Sequence, residues 1–206
     1  MENIKTNLID ESYREVVLEL LLVLRAHSEE SYKHSVDVAN KAFSIATAMC
    51  IKQDDLKELY TAGLLHDIGK ICVERSLLHK KDVTAEEREL IRVGHIEGTK
   101  KILSECFDDD FVRLAVHHHE RLNCSGYPEH LNAKSLDTLD RILQVADVSS
   151  ALEMRRSYKE AYDADRVVSI LDSLVRKGEL DKRCVRESER IFFKPKGDDS
   201  GNAPQK

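Results

Sequence analysis

Apolar residues recur at helical spacing along most of the chain, and this pattern predicts a helical protein. Segment 31–49 is an example, because its apolar residues would form one stripe along a helix that buries one face. The stripe consists of Val38, Ala42, Ile45, Ala46 and Met49. No stretch alternates strictly between apolar and polar residues, as a half-buried strand would. Three prolines and eight glycines are few interruptions for 206 residues. We therefore predict an all-α fold.

The same periodicity, together with capping signals, places the individual elements. Predicted helices cover residues 13–26, 31–49, 54–66, 95–106, 109–118, 136–152, 165–176 and 182–191. Thr84 and Glu87 form a capping-box pattern, which predicts one further helix start. Residues 70–81 are predicted to form a loop. A second loop is predicted at 123–132, which is rich in Gly, Pro, Asn and Ser.

The predicted organisation is a single helical domain, residues 28–193, with a helical N-terminal extension, residues 1–27. The polar tail, residues 194–206, is predicted to be disordered. The apolar stripe of the first helix has two interpretations. It packs on the domain itself, or it binds a second copy of the chain or a signalling partner.

Composition and charge narrow the class of protein. With 41% hydrophobic and 34% charged residues, the chain is typical of a soluble globular protein. A net charge of −6 argues against binding to duplex nucleic acid. The longest apolar run, residues 16–24, is interrupted by Glu19 and is too short to span a membrane. Five scattered cysteines without CxxC spacing indicate a reducing compartment, so we expect a cytoplasmic location.

Candidate chemistry begins where the third predicted helix ends, at His66-Asp67-Ile68-Gly69-Lys70. An adjacent His and Asp supply one nitrogen and one oxygen ligand, and a carboxylate can bridge two metal ions through its two oxygens. Gly69 lets the chain turn close to such a site. Lys70 lies one helical turn beyond His66, so its ammonium group can reach the same place.

Further imidazoles and carboxylates occur on other predicted helices. The candidate metal ligands beyond the His66-Asp67 pair are Glu30, His34, His95, His118, His119 and Asp147. Glu30 and His34 are four residues apart and share one helix face. The set contains nitrogen and oxygen donors but no thiolate, which favours iron, manganese or another borderline divalent ion.

In this order the residues resemble the HD superfamily of metal-dependent phosphohydrolases. The segment His118-His119-Glu120-Arg121-Leu122-Asn123-Cys124-Ser125-Gly126-Tyr127-Pro128 resembles the HD-GYP subfamily of that superfamily. The resemblance implies a signal-transduction hydrolase: a phosphodiesterase that cleaves cyclic di-GMP or a related cyclic dinucleotide. It covers residues 27–186, which is most of the chain.

The resemblance also implies roles for single residues. A di-iron or di-manganese centre would be held by His66, Asp67, His95, His118, His119 and Asp147, and a third ion by Glu30 and His34. Asp67 and Lys70 would be catalytic, with Lys70 on the reacting phosphate. Substrate would also contact Tyr127, Arg156 and Lys159. The residues alone leave other interpretations open, since Glu30, Arg156 and Lys159 suit a solvated surface and Tyr127 suits a turn.

Two positions depart from the family pattern. The family usually has Asp-Gly where this chain has Asn123-Cys124, and a second aspartate where it has Ser150. Neither position matches a metal ligand. The departures motivate an alternative function, a binding module that holds cyclic dinucleotide but turns it over poorly. A third alternative is an HD-type nucleotide phosphohydrolase with another substrate, which Gly126-Tyr127-Pro128 disfavours.

Overall fold

The computed structural model describes residues 4–154 and 161–193, and within these ranges every regular element is a helix. The α-helices are α1 (Arg14–His27), α2 (Glu29–Ala48), α3 (Gln53–Leu65), α4 (Arg75–Leu78), α5 (Ala85–Leu103), α6 (Asp109–Val116), α7 (Thr138–Glu153), α8 (Ala164–Arg176) and α9 (Lys182–Phe192). Short 3-10 helices cover Thr6–Leu8, Ile68–Cys72 and His117–His119. The all-α prediction is therefore confirmed. The predicted disordered tail, 194–206, lies outside the described residues.

Helix α2 forms the middle of the bundle, in contact with α1, α3, α7 and α9. Its predicted apolar stripe is the reason, because Val38, Ala42 and Ile45 are completely buried. Burial of a large aliphatic side chain stabilises a fold by roughly 1.5–3 kcal/mol. Ser28 caps the helix by accepting a hydrogen bond from the amide of Ser31. The buried α2 gives the fold a rigid centre, and α3 and α7 flank it.

Helix α1 packs on this bundle through one face. Val17, Leu21 and Leu24 are fully buried there, while Leu22 and Val23 on the outer face are each 49% exposed. The inner stripe thus belongs to the core of the domain. A partner for the outer face and the boundary at residue 27 stay predictions.

The structure differs from the sequence-based prediction around α4 and α5. Residues 70–81, predicted as a loop, contain most of a 3-10 turn and the single-turn helix α4. Such turns depend on a few local backbone hydrogen bonds and leave no periodic apolar pattern. His95, predicted to begin a helix, lies inside α5, which begins at Ala85 with Thr84 and Glu87 forming the predicted capping box. The buried residues of α5 begin at His95, so its first turns carry no apolar stripe that could have predicted them.

The His-Asp turn is joined tightly to α5. A Cβ atom on Gly69 would lie 1.9 Å from the His95 carbonyl oxygen, so only glycine fits there. Next to this contact the buried Thr99 hydroxyl accepts a hydrogen bond from the Gly69 amide at 2.9 Å. The same hydroxyl donates to the His66 carbonyl at 3.0 Å. Thr99 therefore fixes the turn that carries the candidate ligands.

Replacing Thr99 by valine should lower the free energy of unfolding by about 1–3 kcal/mol, because two buried backbone groups lose their partner. Urea denaturation measures the change. The matched control is Thr47→Val, since the Thr47 hydroxyl is exposed and bonds only within its own helix. Equal losses in the two variants would show that the Thr99 bridge contributes nothing specific.

Candidate metal centre

Seven of the predicted ligands meet at the centre of the bundle although they come from five parts of the chain. His34 lies on α2, His95 on α5 and Asp147 on α7. His66 ends α3 with Asp67 next to it, and His118 and His119 lie on the 3-10 turn after α6. Six of these residues are 0–5% exposed, and the exception is His119, whose side chain is 23% exposed. Buried imidazoles and carboxylates at this density need each other or a cation as partners.

Three of the histidines present the same nitrogen to the centre. The Nδ1 atoms of His66, His95 and His118 lie 2.8–2.9 Å from the carbonyl oxygens of Gly63, Ile91 and Ala115. Because a carbonyl only accepts, each Nδ1 must donate, and Nε2 then carries the lone pair. All three Nε2 atoms are buried without a hydrogen-bond partner. A backbone carbonyl that fixes the tautomer in this way is typical of metal-binding histidine.

The two oxygens of Asp67 face two different pairs of histidines. Oδ1 lies 3.9 Å from His95 Nε2 and 4.0 Å from His118 Nε2. Oδ2 lies 3.8 Å from His34 Nε2 and 3.3 Å from His66 Nε2. The three separations of 3.8–4.0 Å are too long for direct hydrogen bonds, and all four suit two donors around one cation. Asp67 is therefore placed to bridge two neighbouring sites.

Asp147 spans the same two sites from α7. Its Oδ1 accepts a hydrogen bond from His34 Nε2 at 2.9 Å and lies 3.9 Å from His66 Nε2. Its Oδ2 lies 3.7 Å from His119 Nδ1. The ligand atoms thus divide into two groups, His95, His118 and His119 in one and His34, His66 and Asp67 in the other. The arrangement fits a pair of divalent ions held by imidazole and carboxylate.

The charges of the clustered side chains agree with this chemistry. Burial alone would raise the pKa of Asp67, but Lys70 and the neighbouring imidazoles outweigh it and hold that pKa well below its usual range. Burial lowers the pKa of His119 to about 3 and the pKa of His118 well below its usual value. Burial alone would lower the pKa of His66, but Asp67 and Asp147 outweigh it and raise that pKa. A proton and a metal ion compete for that nitrogen, so a bound cation would favour neutral His66.

Lys70 lies at the edge of the centre. Its ammonium nitrogen is 2.5 Å from Asp67 Oδ2, and its side chain is 16% exposed. It also lines a cleft between the start of α2 and the segment that carries α4 and the first turns of α5. The sequence prediction placed Lys70 near the reacting group, and the structure brings it next to Asp67.

Glu30 and Tyr127 flank the centre without joining either group of ligand atoms. Glu30 is half-buried and lines the same cleft as Lys70. The Tyr127 ring lies between the His119 ring, at 4.6 Å, and the Arg92 guanidinium, at 4.3 Å. Tyr127 is therefore held against a candidate ligand. Arg156 and Lys159 lie outside the described residues.

The other histidines do not join the centre. His117 is buried but turns away, with Nδ1 3.4 Å from Asp140 Oδ1. His27 Nε2 lies 3.0 Å from the Val73 carbonyl oxygen, and His130 is exposed. His79 lines the cleft beside Lys70.

The loop that carries Tyr127 is organised by buried Glu120. The Glu120 carboxylate accepts hydrogen bonds from the amides of Glu129, at 2.6 Å, and Leu131, at 2.9 Å. A Cβ atom on Gly126 would lie 2.3 Å from the Arg121 amide nitrogen, so the loop folds back at glycine. The peptide bond between Tyr127 and Pro128 is cis.

The departures from the family pattern preserve much of the local geometry. Asn123 accepts hydrogen bonds from the amide and hydroxyl of Ser125, as an aspartate there would. Cys124 has a φ of 65°, a left-handed conformation that suits the glycine usual in the family. The Ser150 hydroxyl lies 3.0 Å from His34 Nδ1 and so orients that imidazole.

Sequence reasoning missed several positioning residues. Arg92 behind Tyr127, Thr99 behind the His-Asp turn and Asp140 beside His117 carry no motif of their own. The sequence did single out Ser150, as a departure from the family pattern. Its contact with His34 could not be predicted, because the two residues are 116 positions apart. Contacts of this kind arise only when α2 and α7 pack together.

An all-α bundle with adjoining His and Asp side chains at its centre defines a helical fold with a candidate metal site. Residues 18–184 match the family described as HD domain, and the chain belongs to that family. The likeness to HD-GYP proteins that the motifs indicated is confirmed by its relatives. No described helix combines the length and apolar character needed to cross a membrane.

Curated relatives are cyclic-dinucleotide enzymes. The 3′3′-cGAMP-specific phosphodiesterase 1 of Vibrio cholerae is 33% identical over 82% of this chain and 41% of its own length. A cyclic di-GMP phosphodiesterase of Pseudomonas aeruginosa is 32% identical over 72% of this chain and 36% of its own length. A cyclic di-GMP phosphodiesterase response regulator of Xanthomonas campestris is 29% identical over 87% of this chain and 48% of its own length. The chain thus spans less than half of these relatives.

Solved structures share the fold at low identity. The phosphodiesterase PgpH HD domain of L. monocytogenes, in complex with cyclic-di-AMP, superposes with a TM-score of 0.63 at 16% identity, over 84% of this chain and 92% of that one. An HDG"Y"P protein from Bdellovibrio bacteriovorus superposes with a TM-score of 0.62 at 18% identity, over 78% of this chain and 51% of that one. At these identities the matches show the fold alone.

Proposed function

We propose that this chain is a metal-dependent phosphodiesterase domain that hydrolyses a cyclic dinucleotide, with cyclic di-GMP the first candidate substrate. The observation that carries the proposal is the position of the Asp67 carboxylate. One of its oxygens faces His95 and His118, and the other faces His34 and His66. The names of the curated relatives support the substrate class. We propose iron or manganese as the metal and a cytoplasmic location. A homodimer or a signalling partner on the outer face of α1 belongs to the same proposal.

The chemistry needs such a centre because a phosphodiester is anionic and repels a nucleophile. When bound, two divalent ions supply charge neutralisation and a water molecule of lowered pKa. The residues of the chain do the rest. His66, His95 and His118 hold their ligand nitrogens in fixed tautomers, and Asp67 and Asp147 fix the spacing of the two sites. Lys70 adds a positive charge beside Asp67, where negative charge on the phosphate would develop.

The test is metal analysis of anaerobically purified protein combined with a hydrolysis panel. We expect at least two metal ions per chain. Cyclic di-GMP, 3′3′-cGAMP and cyclic-di-AMP should be compared with mononucleotides under the same conditions. One ion or fewer after anaerobic reconstitution would contradict the binuclear centre. Activity on mononucleotides alone would favour the other HD-type phosphohydrolase.

The binding module remains the second candidate, because Cys124 occupies a left-handed position usual for glycine. A residue other than glycine there is strained by of order 1 kcal/mol, which could displace the Tyr127 loop. Lys70 argues for turnover, since a receptor needs no cation beside the bridging carboxylate. Tight binding of cyclic dinucleotide without hydrolysis in the metal-loaded protein would favour the binding module.

A third ion is proposed at Glu30 and His34, which lie one turn apart on α2. Glu30→Ala should then lower the metal content by about one ion per chain while the other ligands keep their pair. The matched control is Glu29→Ala, because Glu29 is exposed and pairs with Arg25. If the metal content of Glu30→Ala is unchanged, Glu30 is not a metal ligand and the third ion is wrong.

A further inference from the structure

A groove with a volume of about 400 Å³ lies where the first half of α3, the start of α6 and the segment before α1 meet. It is lined by three aromatic rings, five carboxylates, one lysine and one threonine. Ligand pockets range over roughly 300–1,000 Å³, so the groove has the size of a binding site. None of the seven clustered ligands lines it, which separates the groove from the candidate metal centre.

Aromatic rings form the apolar surface of this groove. The ring centroids of Tyr13 and Phe107 are 4.8 Å apart, and those of Phe107 and Phe111 are 4.2 Å apart with the planes at 18°. Phe111 is buried and Phe107 is half-buried, but Tyr13 is 37% exposed, so the row of rings ends at the solvent. The face of an exposed aromatic ring attracts a cation.

Carboxylates without cationic partners surround the rings. Asp54, Glu58 and Asp110 line the groove and form no ion pair with a described residue. Burial, followed by the nearby charge of Asp108, raises the pKa of Glu58, so the negative charges here are only partly balanced by nearby cations. Lys57, the one basic residue of the lining, is also unpaired among the described residues. A bound cation would relieve the repulsion between the carboxylates.

The combination of rings and carboxylates selects one kind of cation. Carboxylates alone are usually solvated, and rings alone would accept any apolar group. A guanidinium group meets both at once, because it stacks on an aromatic face while it donates two parallel hydrogen bonds to a carboxylate. The same chain shows this arrangement elsewhere. The Arg92 guanidinium lies 4.3 Å from the Tyr127 ring centroid and donates two hydrogen bonds of 2.6 Å to Glu89.

We propose that this groove binds an arginine-bearing basic segment of a partner protein. The arginine would stack on Tyr13 and pair with the carboxylates of Asp54 and Glu58. The volume exceeds that of one side chain, so residues next to the arginine would contact the groove as well. A net charge of −6 on the chain attracts a basic segment before contact. The inference does not depend on the proposed hydrolysis, because no groove residue belongs to the candidate metal centre.

The test is fluorescence anisotropy of a labelled hexa-arginine peptide with the full chain. The salt concentration should be about 0.15 M, where exposed charges more than roughly 8 Å apart are largely screened. Hexa-lysine and hexa-citrulline peptides serve as comparisons. We expect the lysine peptide to bind at least roughly fivefold more weakly, since an ammonium group cannot stack and pair at once, and the uncharged citrulline peptide not to bind.

Two variants separate the charge of the groove from its aromatic surface. Glu58→Gln removes one charge and should weaken the arginine peptide roughly tenfold. Its matched control is Asp172→Asn, an exposed carboxylate on α8 outside the groove. Tyr13→Ala removes the exposed ring without a change of charge and should weaken binding roughly fivefold. Its matched control is Tyr162→Ala, since Tyr162 is 40% exposed and does not line the groove.

Tyr13→Phe guards against an effect on folding. It keeps the ring and should bind the arginine peptide within about twofold of wild type. Absence of binding to the wild-type chain, or equal losses in groove and control variants, would overturn the proposal. Equal affinity for the lysine peptide would show that only net charge is recognised, which also overturns it. Displacement of the arginine peptide by an equal concentration of spermidine would identify a polyamine site instead.

Discussion

Replacing Asp67 by alanine is expected to abolish metal binding and hydrolysis together. The two oxygens of Asp67 face separate pairs of histidines, and no other described carboxylate lies within 4 Å of His95 or His118 Nε2. Without a shared carboxylate, neither ion would be held at a fixed distance from the other. Metal content should fall to background. Turnover should fall at least roughly a thousandfold, because the two ions and the carboxylate that holds them act together.

The control for this variant is Asp140→Asn. Asp140 is also a completely buried carboxylate next to a histidine, but it pairs with Arg113 on the far side of His117. Both variants should be checked for helical content by circular dichroism. If Asp67→Ala is folded and still binds two ions per chain, the bridging role is wrong. Metal loss in Asp140→Asn as well would indicate a general loss of the core.

Lys70→Ala should separate catalysis from metal binding. Lys70 supplies a charge beside Asp67 rather than a ligand atom, so two ions should stay bound. Turnover should fall by roughly 100- to 1,000-fold, as when a single stabilising donor is removed from an active site. Metal analysis and kcat for the cyclic dinucleotide give the two readouts.

The control is Lys33→Ala on α2, where an exposed lysine is 3.6 Å from Glu29. It should change neither metal content nor turnover. Loss of metal from Lys70→Ala as complete as from Asp67→Ala would mean that the ion pair at 2.5 Å mainly holds Asp67 in place. The division of roles between the two residues would then be wrong.

The arrangement explains why a helical bundle can place so many ligands at one point. Helices α2, α5 and α7 contribute one ligand each, and the ends of α3 and α6 contribute two each. Backbone carbonyls one turn away take up the second nitrogen of His66, His95 and His118. The site therefore needs little support from other side chains. Thr99 and Ser150 are exceptions, and both connect elements distant in the sequence.

The sequence alone was sufficient to predict the all-α fold class and to identify the candidate metal ligands. Helical periodicity is local, so the α2 stripe and the capping box at Thr84 could be predicted without a structure. The His-Asp pair and the His118–His119 pair follow a fixed order along the chain, which is why the resemblance identified them. The local turns within 70–81 and the interior position of His95 were predicted wrongly, because single turns leave no periodic apolar pattern and the buried residues of α5 begin only at His95.

Only the tertiary structure decided how the ligands are divided and what surrounds them. The assignment of one Asp67 oxygen to His95 and His118, and of the other to His34 and His66, depends on the packing of α2, α3 and α5 around one turn. The cleft beside Lys70 likewise brings together side chains from the start of α2, from α4 and from the first turns of α5. Distances between side chains far apart in the sequence are set by packing, and no local pattern records them.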